Sequence, residues 1–115
     1  MIEYYTNKIS VLNIYKKPSK KSEVVSQMIY GDSFSIFKRK GQWMKIKTKE
    51  DNYEGYIQNR KYVKYLRPTH KIHVLKAKVY KFPNKLKKIN ELSFNSKLKV
   101  TENKNKYFKF AKGWI

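Results

Sequence analysis

Apolar and polar residues alternate along most of this chain with a period of two. Phe34 and Ile36 flank Ser35, and the same alternation continues through residues 43–47. This period places neighbouring side chains on opposite faces of a β-strand, whereas an amphipathic helix would repeat every 3.6 residues. Glycine- and proline-containing turns separate these segments at the short intervals that are typical of a small barrel or sandwich. The pattern predicts an all-β chain.

The same series of segments occurs twice. Four blocks return in the same order, with residues 14–18 repeated at 79–83, 34–36 at 98–100, 41–46 at 105–110 and 55–57 at 113–115. An internal repeat of this kind indicates two copies of one structural unit. We therefore predict a first barrel at residues 1–65, a linker at 66–73 that Pro68 stiffens, and a second barrel at 74–115. The second barrel lacks a counterpart of the last predicted strand, Tyr62-Val63, and is incomplete at its C-terminus.

The order of the motifs resembles that of bacterial SH3 domains. The residues that carry the resemblance are Leu12-Asn13-Ile14-Tyr15-Lys16-Lys17-Pro18-Ser19, Gly31, Gly41-Gln42-Trp43-Met44-Lys45-Ile46, Gly55-Tyr56-Ile57 and Tyr62-Val63. Tyr15 stands where the pattern usually has Arg, and the second copy has Asn105 and Tyr107 in place of Gly and Trp. Because it lacks that Trp, we expect the second copy to act chiefly as a spacer.

Paired domains of this kind resemble the N-terminal region of NlpC-type murein endopeptidases, in which the catalytic Cys and His lie in a following domain. The resemblance implies two tandem small SH3-like barrels that recognise murein peptides and shape the substrate cleft of a C-terminal cysteine peptidase domain. No such catalytic domain is present in this sequence. The chain itself is therefore expected to be non-catalytic.

The alternation of side chains indicates which residues point outward and are available to a ligand. If Met44 and Ile46 point into the barrel, Trp43 points outward, where its indole ring is suited to stack on a ligand. The alternative is that Trp43 lies beneath the loop after Pro18 or against the other barrel. For the tyrosines the alternative is a half-buried structural role, and for the carboxylates it is pairing with nearby lysines. The predicted ligand-binding residues are Trp43, Tyr62, Tyr15, Tyr56 and Glu54, with Tyr62 chosen because it resembles the groove Tyr of SH3 domains.

The charge balance adds a second class of function. The chain has 28 Lys and Arg against 8 Asp and Glu, a net charge of +20, which attracts nucleic acid, anionic lipid or the carboxylate-rich cell wall. The lysines are spread from Lys8 to Lys112, which is equally typical of compositional drift on a solvated surface. A basic β-barrel that binds nucleic acid is the alternative function. Recognition of proline-rich peptides is a third hypothesis, which rests on fold analogy only.

Several kinds of chemistry are not expected. The chain has no cysteine, which excludes a disulfide, a thiolate zinc site and a thiol nucleophile. His70 and His73 are assigned to the linker as solvated residues, so neither a metal nor another cofactor is predicted. Without an apolar span or a leader, the sequence predicts no membrane partner. If Met1 is the native start we expect a cytoplasmic bacterial protein, or one in the cell envelope if it is exported by another route.

Overall fold

The computed structural model describes residues 2–115, which form two compact units, and the chain passes from the first to the second between Leu66 and Arg67. All regular secondary structure in this range is β-strand. The prediction of an all-β chain is therefore confirmed, with two main antiparallel sheets, one in each unit.

The first unit is built on one seven-stranded sheet with the strand order β3-β2-β6-β5-β4-β1-β7. Consecutive strands pair through β2–β3, β4–β5 and β5–β6, all antiparallel, as expected for strands joined by short turns. The strands are β1 (Tyr4–Thr6), β2 (Val11–Tyr15), β3 (Val24–Ile29), β4 (Ser33–Lys40), β5 (Trp43–Thr48), β6 (Glu54–Gln58) and β7 (Val63–Lys64). Strand β7 overlaps the predicted strand Tyr62-Val63 and is shifted by one residue toward the C-terminus.

The core of the first unit follows from the alternation seen in the sequence. Along β5 the side chains are alternately half-buried and buried, so that Met44 and Ile46 are fully enclosed while Trp43 and Lys45 are not. Side chains from strands at distant positions in the sheet meet in one cluster, which requires a strongly curved sheet. The cluster consists of Leu12, Ile14, Met28, Phe34, Met44, Ile46 and Ile57, with Tyr5, Ile9, Val25, Ile36 and Tyr62 packed against it.

A fully buried asparagine fixes the turn after β1. The side-chain amide of Asn7 donates to the carbonyl oxygens of Ile9, at 2.9 Å, and Ile29, at 3.0 Å. Its side-chain oxygen accepts from the backbone N–H of Ile9 at 3.0 Å. The Asn7 side chain thus provides hydrogen-bond partners for backbone groups in a segment without regular strand pairing. A polar side chain is tolerated in a core when its hydrogen bonds are satisfied in this way.

We expect Asn7→Ala to lower the free energy of unfolding of the first unit by about 2 kcal/mol, because three hydrogen bonds between a buried side chain and the backbone are lost at once. Urea denaturation of the full chain measures this change. The control is Asn13→Ala, since the Asn13 side chain makes an exposed hydrogen bond to Gln27. Equal losses in the two variants would contradict the role assigned to Asn7.

The second unit has a five-stranded sheet with the order β10-β9-β14-β13-β12 and a separate two-stranded pair, β11-β8. Its buried apolar residues are Ile72, Val79, Tyr80, Leu92, Leu98, Phe110 and Trp114. The strands are β8 (His70–Lys71), β9 (Lys76–Tyr80), β10 (Lys88–Ser93), β11 (Lys97–Leu98), β12 (Glu102–Lys104), β13 (Tyr107–Phe110) and β14 (Gly113–Trp114).

The second unit reproduces local features of the first. Tyr15 pairs with Tyr56 in the first sheet, and Tyr80 pairs with Trp114 in the second, as the aligned sequence blocks predict. The hairpins β2–β3 and β9–β10 contain a register shift at the same place. In the first hairpin Ile14 and Tyr15 pair with Ser26 and Val24, and in the second Val79 and Tyr80 pair with Asn90 and Lys88. Such bulges bend a strand and are specific features of a fold.

The equivalence extends into the segment that the sequence assigned to the linker. The Asn7 carbonyl accepts from the N–H of Gly31 at 2.8 Å, and the Ile72 carbonyl accepts from that of Asn95 at 2.9 Å. Gly31 and Asn95 both have positive φ, at 88° and 71°. Residues 70–71 are therefore the counterpart of β1, and they pair with β11 as β1 pairs with β4. The alternation could not reveal a strand of two exposed residues, because its pairing partner lies far along the chain.

Candidate functional site

Three aromatic side chains share the outer face of the first sheet. Tyr15 on β2 lies opposite Tyr56 on β6, and Tyr56 lies opposite Lys45 on β5. Partners in register project from the same side of a sheet, and the buried residues that alternate with them occupy the other side. Trp43 is two residues from Lys45 and belongs to the same side. Tyr15, Trp43 and Tyr56 are named here the aromatic face.

Two rings of the aromatic face, those of Tyr15 and Trp43, are in direct contact. The centroids of Tyr15 and Trp43 are 5.4 Å apart with an interplanar angle of 83°, an edge-to-face arrangement. Such a pair contributes about 0.5–1.5 kcal/mol and fixes the orientation of both rings. All three side chains are half-buried, so each retains surface for a ligand. The tight turn before β5 uses Gly41 at φ 58°, which sets Trp43 at the start of its strand.

Lysines border the aromatic face on one side. Lys38 on β4 lies opposite Lys45, and Lys40 lies opposite Trp43. Lys47 follows on β5, where it lies opposite Glu54. The next basic side chain, Arg39, turns away, because its guanidinium contacts the Met44 sulfur at 2.9 Å and the Asn59 side-chain oxygen at 3.1 Å. The face therefore combines flat apolar contact area with ammonium groups, which suits a ligand that carries carboxylates.

Glu54 lies at the start of β6, with its side chain exposed. The ion pairs found among residues 2–115 join Lys64 to Glu3 and Lys88 to Glu91, so the Glu54 carboxylate is in neither. It lies on the edge of the aromatic face, two residues before Tyr56 on the same strand. This position allows it to receive a ligand amine, as the sequence analysis predicts.

Tyr62 has a different environment from the other predicted site residues. Its ring packs edge-to-face on Phe34 with centroids 5.1 Å apart, and its hydroxyl donates to the Gln58 carbonyl oxygen at 3.4 Å. Burial raises the pKa of the Tyr62 hydroxyl, and the neighbouring Arg60 partly opposes this shift. The structure therefore uses Tyr62 to close one side of the core. Sequence spacing could not distinguish this role from a groove position, because both place the ring near the barrel surface.

A cleft that the sequence analysis did not identify begins one residue after Tyr15. It has a volume of about 430 Å³ and lies within the loop between β2 and β3. Hydrogen bonds from the Lys17 N–H to the Ser22 hydroxyl, at 2.9 Å, and from the Lys16 N–H to the Glu23 carbonyl, at 2.9 Å, hold the loop in shape. The lining residues are Lys16, Lys17, Ser19, Lys21, Ser22 and Glu23.

The second unit carries an equivalent set of rings. Tyr80 and Tyr107 are in edge-to-face contact at 5.9 Å and 85°, which matches the pair formed by Tyr15 and Trp43. Trp114 takes the place of Tyr56, and the Lys109 ammonium lies 5.7 Å from the centre of its ring. Tyr80 and Trp114 are each only 9% exposed. This set therefore offers a ligand much less surface than the aromatic face of the first unit.

Two features are absent from residues 2–115. These residues contain no group of three or more His, Cys, Asp or Glu side chains placed to hold a metal ion. They also contain no helix of the length and apolarity needed to cross a membrane. His70 is exposed on β8, where its Nδ1 is 2.7 Å from the Thr69 hydroxyl and its ring lies against Phe108.

Comparison with known protein families identifies the first unit. Residues 14–61 match the family model of the bacterial dipeptidyl-peptidase Sh3 domain. The first unit thus contains a bacterial SH3 domain. The match begins within β2 and ends after β6, so it includes every residue of the aromatic face. No curated protein matches the chain.

Proposed function

We propose that the chain is a non-catalytic targeting region that binds murein peptides for a cysteine peptidase domain of the same polypeptide. The aromatic face is the observation that carries the proposal. Three aromatic side chains, two of them in edge-to-face contact, lie beside lysines on one side of a domain of the dipeptidyl-peptidase type. We infer from the matching strand pairs, bulges and rings that the second unit is a second copy of the same domain.

The chemistry of the site fits the proposed ligand. Murein peptides carry carboxylates on glutamate and diaminopimelate, and they carry amines as well. Lys38, Lys40 and Lys45 are placed to attract the carboxylates, while Glu54 is placed to receive an amine. The rings of Trp43 and Tyr15 supply contact area at a small entropic cost, since aromatic side chains have few rotatable bonds. The cleft at residues 16–23 extends this surface and adds the Glu23 carboxylate.

We expect Trp43→Ala to weaken retention on purified murein sacculi roughly tenfold, which is the usual effect of truncating a central aromatic contact. The measurement is a pull-down from a dilution series of sacculi, repeated with soluble murein tripeptide as competitor. Unchanged retention of Trp43→Ala, or failure of the wild-type chain to bind both sacculi and soluble peptides, would overturn the proposal.

The matched control is Phe37→Ala. Phe37 is an aromatic residue of the same unit and is 53% exposed, but it lies at a bulge in β4 outside the aromatic face. We expect its retention to equal that of the wild-type chain. If both substitutions weaken binding equally, the loss reflects general aromatic surface and not this site.

The alternative function is nucleic-acid binding, favoured by the lysines that border the aromatic rings. Bases stack on exposed aromatic side chains while lysines neutralise phosphates, and the charge-driven part of such binding falls steeply with salt. A salt titration with a single-stranded oligonucleotide separates the two functions. Tight binding that persists at about 0.2 M salt would favour nucleic acid over murein, since charge alone gives dissociation constants of about 10⁻⁴–10⁻⁶ M.

A further inference from the structure

The loop between β9 and β10 exposes apolar side chains among lysines. Leu86 is 85% exposed and Phe82 is 47% exposed, although both are large apolar residues. Lys81, Lys85 and Lys87 flank them in sequence and are exposed as well. We name residues 82–86 the tip loop. Clusters of exposed apolar residues on a soluble surface generally mark a site of interaction.

The tip loop is held in a defined shape. The Lys81 N–H donates to the Lys87 carbonyl at 2.9 Å and closes the base of the loop. Within it, the Asn84 N–H donates to the Phe82 carbonyl at 2.7 Å, and the Asn84 side-chain oxygen accepts from the Leu86 N–H at 3.0 Å. Within the loop these bonds satisfy the hydrogen-bonding groups of the backbone. Phe82 and Leu86 are therefore presented to solvent by an ordered turn and do not need to be ordered by a partner.

The equivalent loop of the first unit provides an internal comparison. It is closed by the same kind of bond, from the Lys16 N–H to the Glu23 carbonyl at 2.9 Å. It too is rich in lysine, but none of residues 16–23 is a large apolar residue. Phe82 occupies the position of Lys17 in the aligned blocks. The two loops thus share charge and backbone closure and differ in the apolar side chains.

We propose that the tip loop docks on an anionic lipid surface. The lysines would lie at the headgroups, where each adds to the attraction of a negatively charged membrane, and Phe82 and Leu86 would enter the boundary between headgroups and acyl chains. The long lysine stems allow their ammonium groups to stay in water while the apolar residues are buried. The second unit has few charges that would oppose this contact, because its acidic residues are Glu91 and Glu102 only.

Lipid is favoured over a soluble polyanion by the apolar residues themselves. A polyanion such as a nucleic acid or a wall polymer would need the lysines, but it would gain little from a solvent-exposed leucine. Transfer of apolar surface into hydrocarbon is favourable in proportion to its area. Lys88 adds little to the binding of either lipid or a polyanion, since its ammonium is 2.6 Å from the Glu91 carboxylate.

The test is co-sedimentation of the full chain with phosphatidylcholine vesicles, with and without about one third phosphatidylglycerol. We expect binding only to the anionic vesicles. We expect Phe82→Ser/Leu86→Ser to weaken this binding at least roughly tenfold, because both apolar side chains that would enter the membrane are removed. The control for apolar exposure is Leu75→Ser, because Leu75 is also 85% exposed but lies at the opposite end of β9. Leu75→Ser should bind as the wild-type chain does.

The control for charge compares two double substitutions. Lys85→Gln/Lys87→Gln should weaken binding several-fold more than Lys20→Gln/Lys21→Gln, which removes the same charge from the loop of the first unit. In addition, Phe82→Trp should show a blue shift of its fluorescence on addition of anionic vesicles, because its indole leaves water. Retention of Phe82→Ser/Leu86→Ser and of Lys85→Gln/Lys87→Gln on murein sacculi should be unchanged, which separates this proposal from the proposed function.

Several results would overturn the proposal. These are the absence of wild-type binding to anionic vesicles, wild-type affinity of Phe82→Ser/Leu86→Ser, or equal losses in the two lysine variants. A fourth is weakened binding of Phe82→Ser/Leu86→Ser to inorganic polyphosphate as well, since that would identify a general polyanion site. The serine substitutions lie at exposed positions, so an unchanged thermal midpoint verifies that each variant is folded.

Discussion

Phe34→Ala is expected to unfold the first unit in native buffer. Phe34 is fully buried in the core cluster, where the rings of Tyr5 and Tyr62 pack against it at 6.2 and 5.1 Å. Truncation of a buried phenylalanine costs about 3–5 kcal/mol, through lost transfer energy and the cavity that remains. A domain of this size rarely has more than about 3–5 kcal/mol of stability in total. The substitution should therefore remove the aromatic face together with the core.

The two tryptophans allow this result to be measured in the full chain, because Trp43 lies in the first unit and Trp114 in the second. In a Trp114→Phe background, urea denaturation followed by Trp43 fluorescence reports on the first unit alone. Phe37→Ala is the control, since Phe37 lies on the same strand but is 53% exposed, and its effect should be within about 0.5 kcal/mol. An unchanged denaturation midpoint for Phe34→Ala would contradict the assigned core.

Gly113→Ala should destabilise the second unit by about 3 kcal/mol, through overpacking and backbone strain together. Gly113 has φ 147°, a conformation that residues with a side chain rarely adopt. A Cβ at this position would lie 2.6 Å from the Tyr80 carbonyl oxygen and 3.1 Å from the Val79 side chain. The substitution therefore separates β14 from β9, whose only register pair joins Trp114 and Tyr80.

Gly41→Ala is the control for this prediction. Gly41 also has positive φ, at 58°, but a Cβ there would meet no atom within 4 Å. Its substitution should cost only the conformational penalty of about 1–2 kcal/mol. The measurement is denaturation followed by Trp114 fluorescence in a Trp43→Phe background for Gly113→Ala, and by Trp43 fluorescence for Gly41→Ala. A smaller loss for Gly113→Ala than for Gly41→Ala would contradict the close approach of β14 to β9.

The candidate site was only partly predictable from the sequence. Alternation along β5 correctly indicated which residues face inward, and from this Trp43 was nominated as an outward side chain. The contact between Trp43 and Tyr15 depends on the order of β2, β6 and β5 in the sheet, which joins residues distant in sequence. Tyr62 shows the opposite case, because its ring packs on the buried Phe34. Which of these residues contacts a ligand stays a prediction.

The proposed lipid contact also depends on the tertiary structure. The sequence predicted no membrane partner, because it contains no long apolar span. Phe82 and Leu86 are single apolar residues within a lysine-rich segment, a pattern that sequence alone assigns equally well to a buried strand end. Only the closed loop and the exposure of both side chains give these residues a role at a surface.

By itself the sequence determined the strand class, the internal repeat and the division into inward and outward positions. These depend on local properties, namely side-chain alternation, turn residues and motif order. The tertiary structure decided that residues 70–71 form a strand and that a cleft lies beside Tyr15. It also decided that the rings of the second unit are largely covered. The physical reason is that strand pairing and burial are set by contacts between residues far apart in the chain, and these contacts leave little local signal.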